Sequence, residues 1–136
     1  MKASPLVWTG RVLTGLFALF MLGASIYPKF FMPDVVAANM GPSGWTPDKT
    51  LLLGVIELSC LALYLIPRTA VFGAVLMMGY LGGALATNLR VDNPLFSHTL
   101  FSVYLGLFMW GGLWLRDPAL RALFPLRRPL TIGEVA

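Results

Sequence analysis

The sequence predicts an all-α protein: a four-transmembrane-helix bundle with both termini cytoplasmic and a short interfacial helix in the first external loop. Three observations carry this expectation. Hydrophobic residues make up 57% of the chain and charged residues only 12%, against about a quarter charged in a soluble domain. Such a chain cannot clothe a water-facing surface. The apolar residues gather in four runs, about 6–27, 47–66, 70–89 and 98–115, each near the ~20 residues that cross ~30 Å of hydrocarbon. The basic residues are distributed unevenly between the two sets of loops those runs define.

The elements follow in order. The first run is too long for a leader peptide, and Leu22-Gly-Ala-Ser25 lacks the A-x-A pattern of a cleavage site, so it reads as a retained span. The loop Pro28 to Thr46 follows. Within it, Pro33 to Met40 can form the interfacial helix, ended by Gly41-Pro-Ser-Gly44. Thr46-Pro47-Asp48 supplies a cap, a proline at the first helical position and an early acid for the second span. Pro67-Arg68-Thr69 is a tight hairpin, so spans two and three are antiparallel neighbours, with Thr69 able to cap the third. Asn93-Pro94 marks a turn, Ser97 can cap the fourth span, and Asp117-Pro118 closes it. Pro118 to Phe124 reads as a short amphipathic segment within the tail 116–136, whose last dozen residues are expected to be loose. The whole of 1–136 is one membrane domain.

Orientation follows from Lys and Arg. With four spans, the side of the termini holds Lys2, Arg11, Arg68, Arg116, Arg121, Arg127 and Arg128, and the other holds Lys29, Lys49 and Arg90. That excess places both termini in the cytoplasm. Arg127-Arg128 reads as a topology determinant or an anionic-lipid contact. The net charge is +4 and the isoelectric point about 9.6, but the basic residues mark helix ends and tail, so nucleic acid is excluded as a partner and the lipid bilayer is the expected one. Cys60 is the single cysteine and His98 the single histidine, so neither a disulfide, a Cys-pair redox motif nor a metal-ligand set is expected, and no intrinsic cofactor.

Glu57 stands inside an otherwise apolar run, Leu51 to Ile66. A carboxylate at mid-bilayer costs several kcal/mol unless it is protonated or paired. It lies ~14 Å from either end of its span at 1.5 Å per residue. Arg11, ~9 Å inside the first span, leaves an axial offset of ~5 Å that a guanidinium can bridge. The sequence therefore favours a Glu57–Arg11 ion pair, with a protonated, hydrogen-bonded Glu57 as the competing state. A second polar group, Lys29, Thr87, Asn88, Arg90, Asp92 and His98, should collect at the external face. Its plain reading is a set of interfacial anchors and solvated loop residues. The sharper one is a polar mouth opening toward Glu57, where a neutral carbonyl- or hydroxyl-bearing ligand enters. Gly79-x-x-x-Gly83 and Gly82-x-x-x-Ala86, with Gly106, Gly111 and Gly112, are expected to serve close helix packing.

Several strings resemble the DoxX-like family of small bacterial four-helix integral membrane proteins. They are Gly10-Arg-Val-Leu13, Pro28-Lys-Phe30, Gly54-Val-Ile-Glu57, Leu63-Tyr-Leu-Ile-Pro-Arg-Thr69, the run Gly79 to Arg90, and Trp110 to Pro118. The resemblance covers about residues 8 to 126. One departure stands out: the family pattern Ala-Thr-His-x-Arg carries Asn88 here in place of the histidine. The resemblance implies a multi-pass protein of the bacterial cytoplasmic (inner) membrane. It associates such chains with thiosulfate:quinone oxidoreduction and with thiol or quinone stress.

Three functions compete. The first is a redox-associated subunit binding a quinone or other lipophilic small molecule between its helices, with electrons supplied by a soluble or membrane redox partner. The second is a structural or assembly subunit held in register by Glu57 and Arg11. The third is a small-molecule exporter using Glu57 as its titrating carboxylate. A homo-oligomer is left open, and no nucleophile–base pair marks an enzyme.

Overall fold

The computed structural model describes residues 2–127 and Pro129. Arg128 and the last residues of the tail, on which the expectations of a lipid contact and a loose terminus partly fall, lie outside them. Among the described residues the chain is helical throughout, with no strand. We number six helices: α1, Pro5–Phe31; α2, Pro33–Met40; α3, Thr50–Leu65; α4, Ala70–Arg90; α5, Leu95–Arg116; and α6, Pro118–Leu123. The four long ones form a ring. α1 packs on α5, α5 on α4, α4 on α3, and α3 on the last third of α1.

Helices α1, α4 and α5 are long and apolar enough to cross a membrane. α3 has 16 residues, about 24 Å at 1.5 Å per residue. It is shorter than expected at its start, because Pro47–Lys49 forms a separate 3-10 turn whose Asp48 and Lys49 pair in solvent.

The core is narrow and follows helical spacing. Gly10, Thr14, Phe17, Ala18 and Met21 face inward from α1, and Gly54, Glu57, Cys60, Leu61 and Tyr64 from α3. Ala70, Gly73, Ala74, Met77 and Leu81 come from α4, and Ser102, Gly106, Met109, Gly112 and Leu113 from α5. Leu19, Phe31, Phe72 and Leu107 point outward, each more than half exposed. Large apolar side chains cover the outside as well as filling the core between the small residues, an arrangement that lipid solvation permits.

Each expected boundary has a physical outcome. Ser4 caps α1 through Val7 N–H, and Asp117 caps α6 by accepting from Ala119 and Leu120 N–H. Thr69 does not cap α4; its hydroxyl donates instead to the Leu63 carbonyl at 2.8 Å, satisfying a terminal acceptor of α3. Ser97 does not cap α5, which already begins at Leu95 after Pro94. Gly44 takes φ +86° where the loop turns after α2, a conformation glycine adopts without steric cost.

One irregularity matters for the site. Met21–Ile26 is a π-helical turn within α1. The buried positions jump by five, from Met21 to Ile26, as an i→i+5 turn requires. Pro28, lacking an N–H, follows two residues after that turn. The wider turn rotates everything after it, and Lys29 thereby faces the bundle interior.

Candidate functional site

Glu57 is fully buried on α3, and its cation is Lys29, not Arg11. Lys29 Nζ donates to Glu57 Oε2 at 2.8 Å, with the two side chains 8% and 0% exposed. The ammonium spends its other donors on the Ser25 carbonyl, at 3.0 Å, and the Ser25 hydroxyl, at 2.8 Å. All three protons are therefore placed. Gly54, one turn before Glu57, makes the approach possible: a Cβ there would stand 3.0 Å from Lys29 Cβ and 3.2 Å from the Phe30 ring.

The expected Glu57–Arg11 pair fails for a rotational reason. Gly10 and Thr14 carry the inward face of α1, and Arg11, turned about 100° from Gly10, is exposed with its guanidinium 5.3 Å from the Trp8 ring centroid. In an unbroken α-helix Arg11 and Lys29, 18 residues apart, would share one face, but the π-helical turn between them interrupts that period.

Tyr80 is the residue that sequence reasoning passed over. Its hydroxyl donates to the same Glu57 oxygen, Oε2, at 3.2 Å. The other oxygen, Oε1, is buried without a hydrogen-bond partner among the described residues. Buried polar atoms in native proteins are nearly always paired, and exceptions concentrate where chemistry or ligands are handled.

Tyr80 also lines a cavity of about 510 Å³ between α3, α4 and the loops that follow α2 and α4. Thr87, Asn88, Asn93 and His98 form its polar side, Asn39, Ser43 and Trp45 its loop side, and Leu53, Gly79, Gly83 and Ala84 its floor. Three members of the expected external group, Thr87, Asn88 and His98, do meet around one space. Lys29 leaves that group for Glu57. Arg90 stands beside it, donating to the Ser43 carbonyl at 2.6 Å and holding the loop with Gly44 and Trp45 against α4. Asp92 is exposed and takes φ +54° in the turn after α4.

Gly79, Gly82 and Gly83 of α4 do not pack helices together, contrary to expectation. A Cβ at Gly79, Gly82 or Gly83 would meet nothing within 4 Å. Gly79 and Gly83 instead keep the cavity open. Close packing belongs to other glycines. A Cβ at Gly112 would stand 2.6 Å from Thr14 Oγ1, one at Gly10 would stand 2.7 Å from the Gly112 carbonyl, and one at Gly73 would stand 2.2 Å from Tyr64 N.

A second buried polar node lies near those contacts. Tyr64 donates to the Met109 carbonyl at 2.7 Å, so the Thr14 hydroxyl, 3.1 Å away, donates to Tyr64. The Arg116 guanidinium lies 5.7 Å from the Tyr64 ring centroid. Tyr64 and Met109 are both fully buried there.

Chemically, the first node is a carboxylate buffered by one ammonium and reached from a polar cavity through one phenol. Among the described residues no three of His, Cys, Asp and Glu converge as metal ligands. No curated protein and no solved structure matches the chain. The sequence pattern of the DoxX-like family matches residues 12–112, and the chain belongs to that family.

Proposed function

We propose that this DoxX-like membrane protein holds a lipophilic small molecule of the quinone class in the cavity beside Glu57, as a redox-associated subunit. The observation that carries the reading is the double position of Tyr80. It lines the 510 Å³ cavity and bonds the buried carboxylate at 3.2 Å. A space of that size, part apolar and part polar, suits one ring with its substituents. The ring's oxygens reach Tyr80 and Thr87, and its tail leaves between helices toward lipid.

In this reading α3, with its preceding turn, is the fourth membrane crossing. Both termini are cytoplasmic, by the excess of Lys and Arg on their side, and the protein resides in a bacterial inner membrane. The cavity then opens on the outer face. Electrons pass to or from a soluble or membrane redox partner, which brings its own cofactor.

A structural role for the ion pair is the second reading, favoured by the seating of Lys29 against Gly54. The two are compatible, because the pair fixes the carboxylate that Tyr80 reaches. An exporter is disfavoured. It would need Glu57 to exchange protons and cargo with water, and the carboxylate is fully buried behind Tyr80 and Lys29.

The test is a ligand titration of the purified protein in micelles with a short-tail quinone, supplied oxidised and reduced, followed by melting temperature. A bound ligand at 100 times its Kd stabilises by about 2.7 kcal/mol, a shift of several degrees. No shift with either form contradicts the proposal.

A further inference from the structure

The polar side of the cavity has spent most of its hydrogens. Tyr80 donates to Glu57. Thr87 donates to the Gly83 carbonyl at 2.9 Å. The Asn88 amide donates to the Ala84 carbonyl at 2.9 Å, and the Asn93 amide to Asn88 Oδ1 at 2.6 Å. Tyr80 and Thr87 are left with acceptor capacity alone, while the Asn88 and Asn93 amides each keep one N–H and Asn93 keeps Oδ1. Further donors without a bond in the structure lie on Asn39, Ser43, Trp45 and His98, and the first and last of these are exposed.

A carbonyl facing the Tyr80 and Thr87 edge of the cavity finds oxygen opposite oxygen. A hydroxyl finds an acceptor. We infer that the cavity selects the reduced, hydroxyl-bearing form of its ligand, a lipophilic quinol or phenol, over the oxidised quinone. The inference rests on the function proposed above and adds the ligand's hydrogen-bonding state to it.

Glu57 is what enforces the selection. A free tyrosine hydroxyl can turn to donate or accept. Here the buried carboxylate holds the Tyr80 proton, so the phenol oxygen presents only its lone pairs to the cavity. A ligand hydroxyl then donates to Tyr80, which donates to Glu57, and the chain of bonds strengthens itself. Lys29 secures the far end. A ligand carbonyl would have to draw the Tyr80 proton away from a buried carboxylate, leaving that carboxylate with one donor fewer. Leaving a buried acceptor unpaired is costly, and sites built for a hydrogen-bond donor reject analogues lacking one far more strongly than sites that differ by a methylene.

The experiment compares three probes with one tail: a short-chain hydroquinone, the matching quinone, and the hydroquinone dimethyl ether. Each is titrated against the protein in micelles, anaerobically, with melting temperature and equilibrium dialysis as readouts. The hydroquinone is expected to bind at least tenfold more tightly than either of the others. Tyr80→Phe should remove most of that preference, and Thr87→Val serves the same purpose if the first variant fails to fold. Equal affinities, or a tighter quinone, overturn the inference and leave the function proposed above standing. Binding of none of the three overturns both.

Discussion

The two buried polar nodes of this bundle use similar residues to opposite ends. At the node near the termini, a tyrosine bonds a backbone carbonyl, and Gly10, Gly73 and Gly112 let backbones touch. A Cβ on any of these would stand 2.2–2.7 Å from its neighbour. At the node near the loops, a tyrosine bonds a carboxylate, and Gly79 and Gly83 face open space. The first node is closed and its polar groups serve packing. The second is open and carries the buried ion pair; among the described residues each node leaves buried polar atoms unpaired, Glu57 Oε1 at the second and Arg116 Nε and Nη2 at the first. Glycine in a membrane helix therefore marks either contact or room, and only the neighbouring helix decides which.

Breaking the ion pair should produce the largest effect. Lys29→Ala leaves Glu57 buried without its cation, and removal of one member of a buried pair costs about 3–5 kcal/mol. Unfolding of the purified protein in mixed micelles measures it. The double variant Lys29→Met with Glu57→Leu should recover most of that loss, because the desolvation penalty disappears with both charges. A loss below 1 kcal/mol for Lys29→Ala would mean that Lys29 does not serve as the partner of Glu57.

The glycine comparison comes next, and it is a test of sign. Gly112→Ala forces a methyl against Thr14 Oγ1 and backbone N and should cost about 1–3 kcal/mol. Gly83→Ala meets nothing and should stabilise by about 0.5–1 kcal/mol through helix propensity. Equal effects at the two positions would erase the distinction between a closed and an open node.

The smallest effect sharpens the contrast between the two cations of α1. Arg11→Ala removes an exposed side chain that lies on Trp8, and surface changes of this kind stay within about 0.5 kcal/mol. A loss as large as that of Lys29→Ala would return Arg11 to the role the sequence suggested for it.

Much of the architecture was legible beforehand, for stated physical reasons. The helix at Pro33 to Met40, with its terminator at Gly41 to Gly44, follows from proline, glycine and loop length, and it forms as read. The four apolar runs become four long helices, because hydrophobic runs and Pro/Gly punctuation are local signals. The identity of the Glu57 partner was not local. It depended on a π-helical turn two residues before Pro28, which shifts the face of α1 by one residue. A cation four residues after Ser25, adjoining a proline, was the available hint.

The cavity was half legible. Thr87, Asn88 and His98 were grouped by their place at one membrane face. Tyr80 was missed because an aromatic residue in an apolar helix reads as core. Its spacing did carry the signal: Tyr80, Gly83, Ala84 and Thr87 follow i, i+3, i+4 and i+7, one helical face. A face bearing a tyrosine, two small residues and a threonine makes both a space and a polar edge.

The central claim is that this space is a ligand site. Gly83→Leu tests it most directly, because the new side chain fills the cavity floor beside Tyr80, while Glu57 and Lys29 sit on other helices. Gly82→Leu, one residue away and outside the cavity lining, is the control. The measurement is the melting shift of each folded variant on addition of the short-chain hydroquinone. The account predicts that Gly83→Leu melts within a few degrees of the unaltered protein but loses the ligand-induced shift, while Gly82→Leu keeps it. A full shift in Gly83→Leu would place the ligand elsewhere and contradict the account.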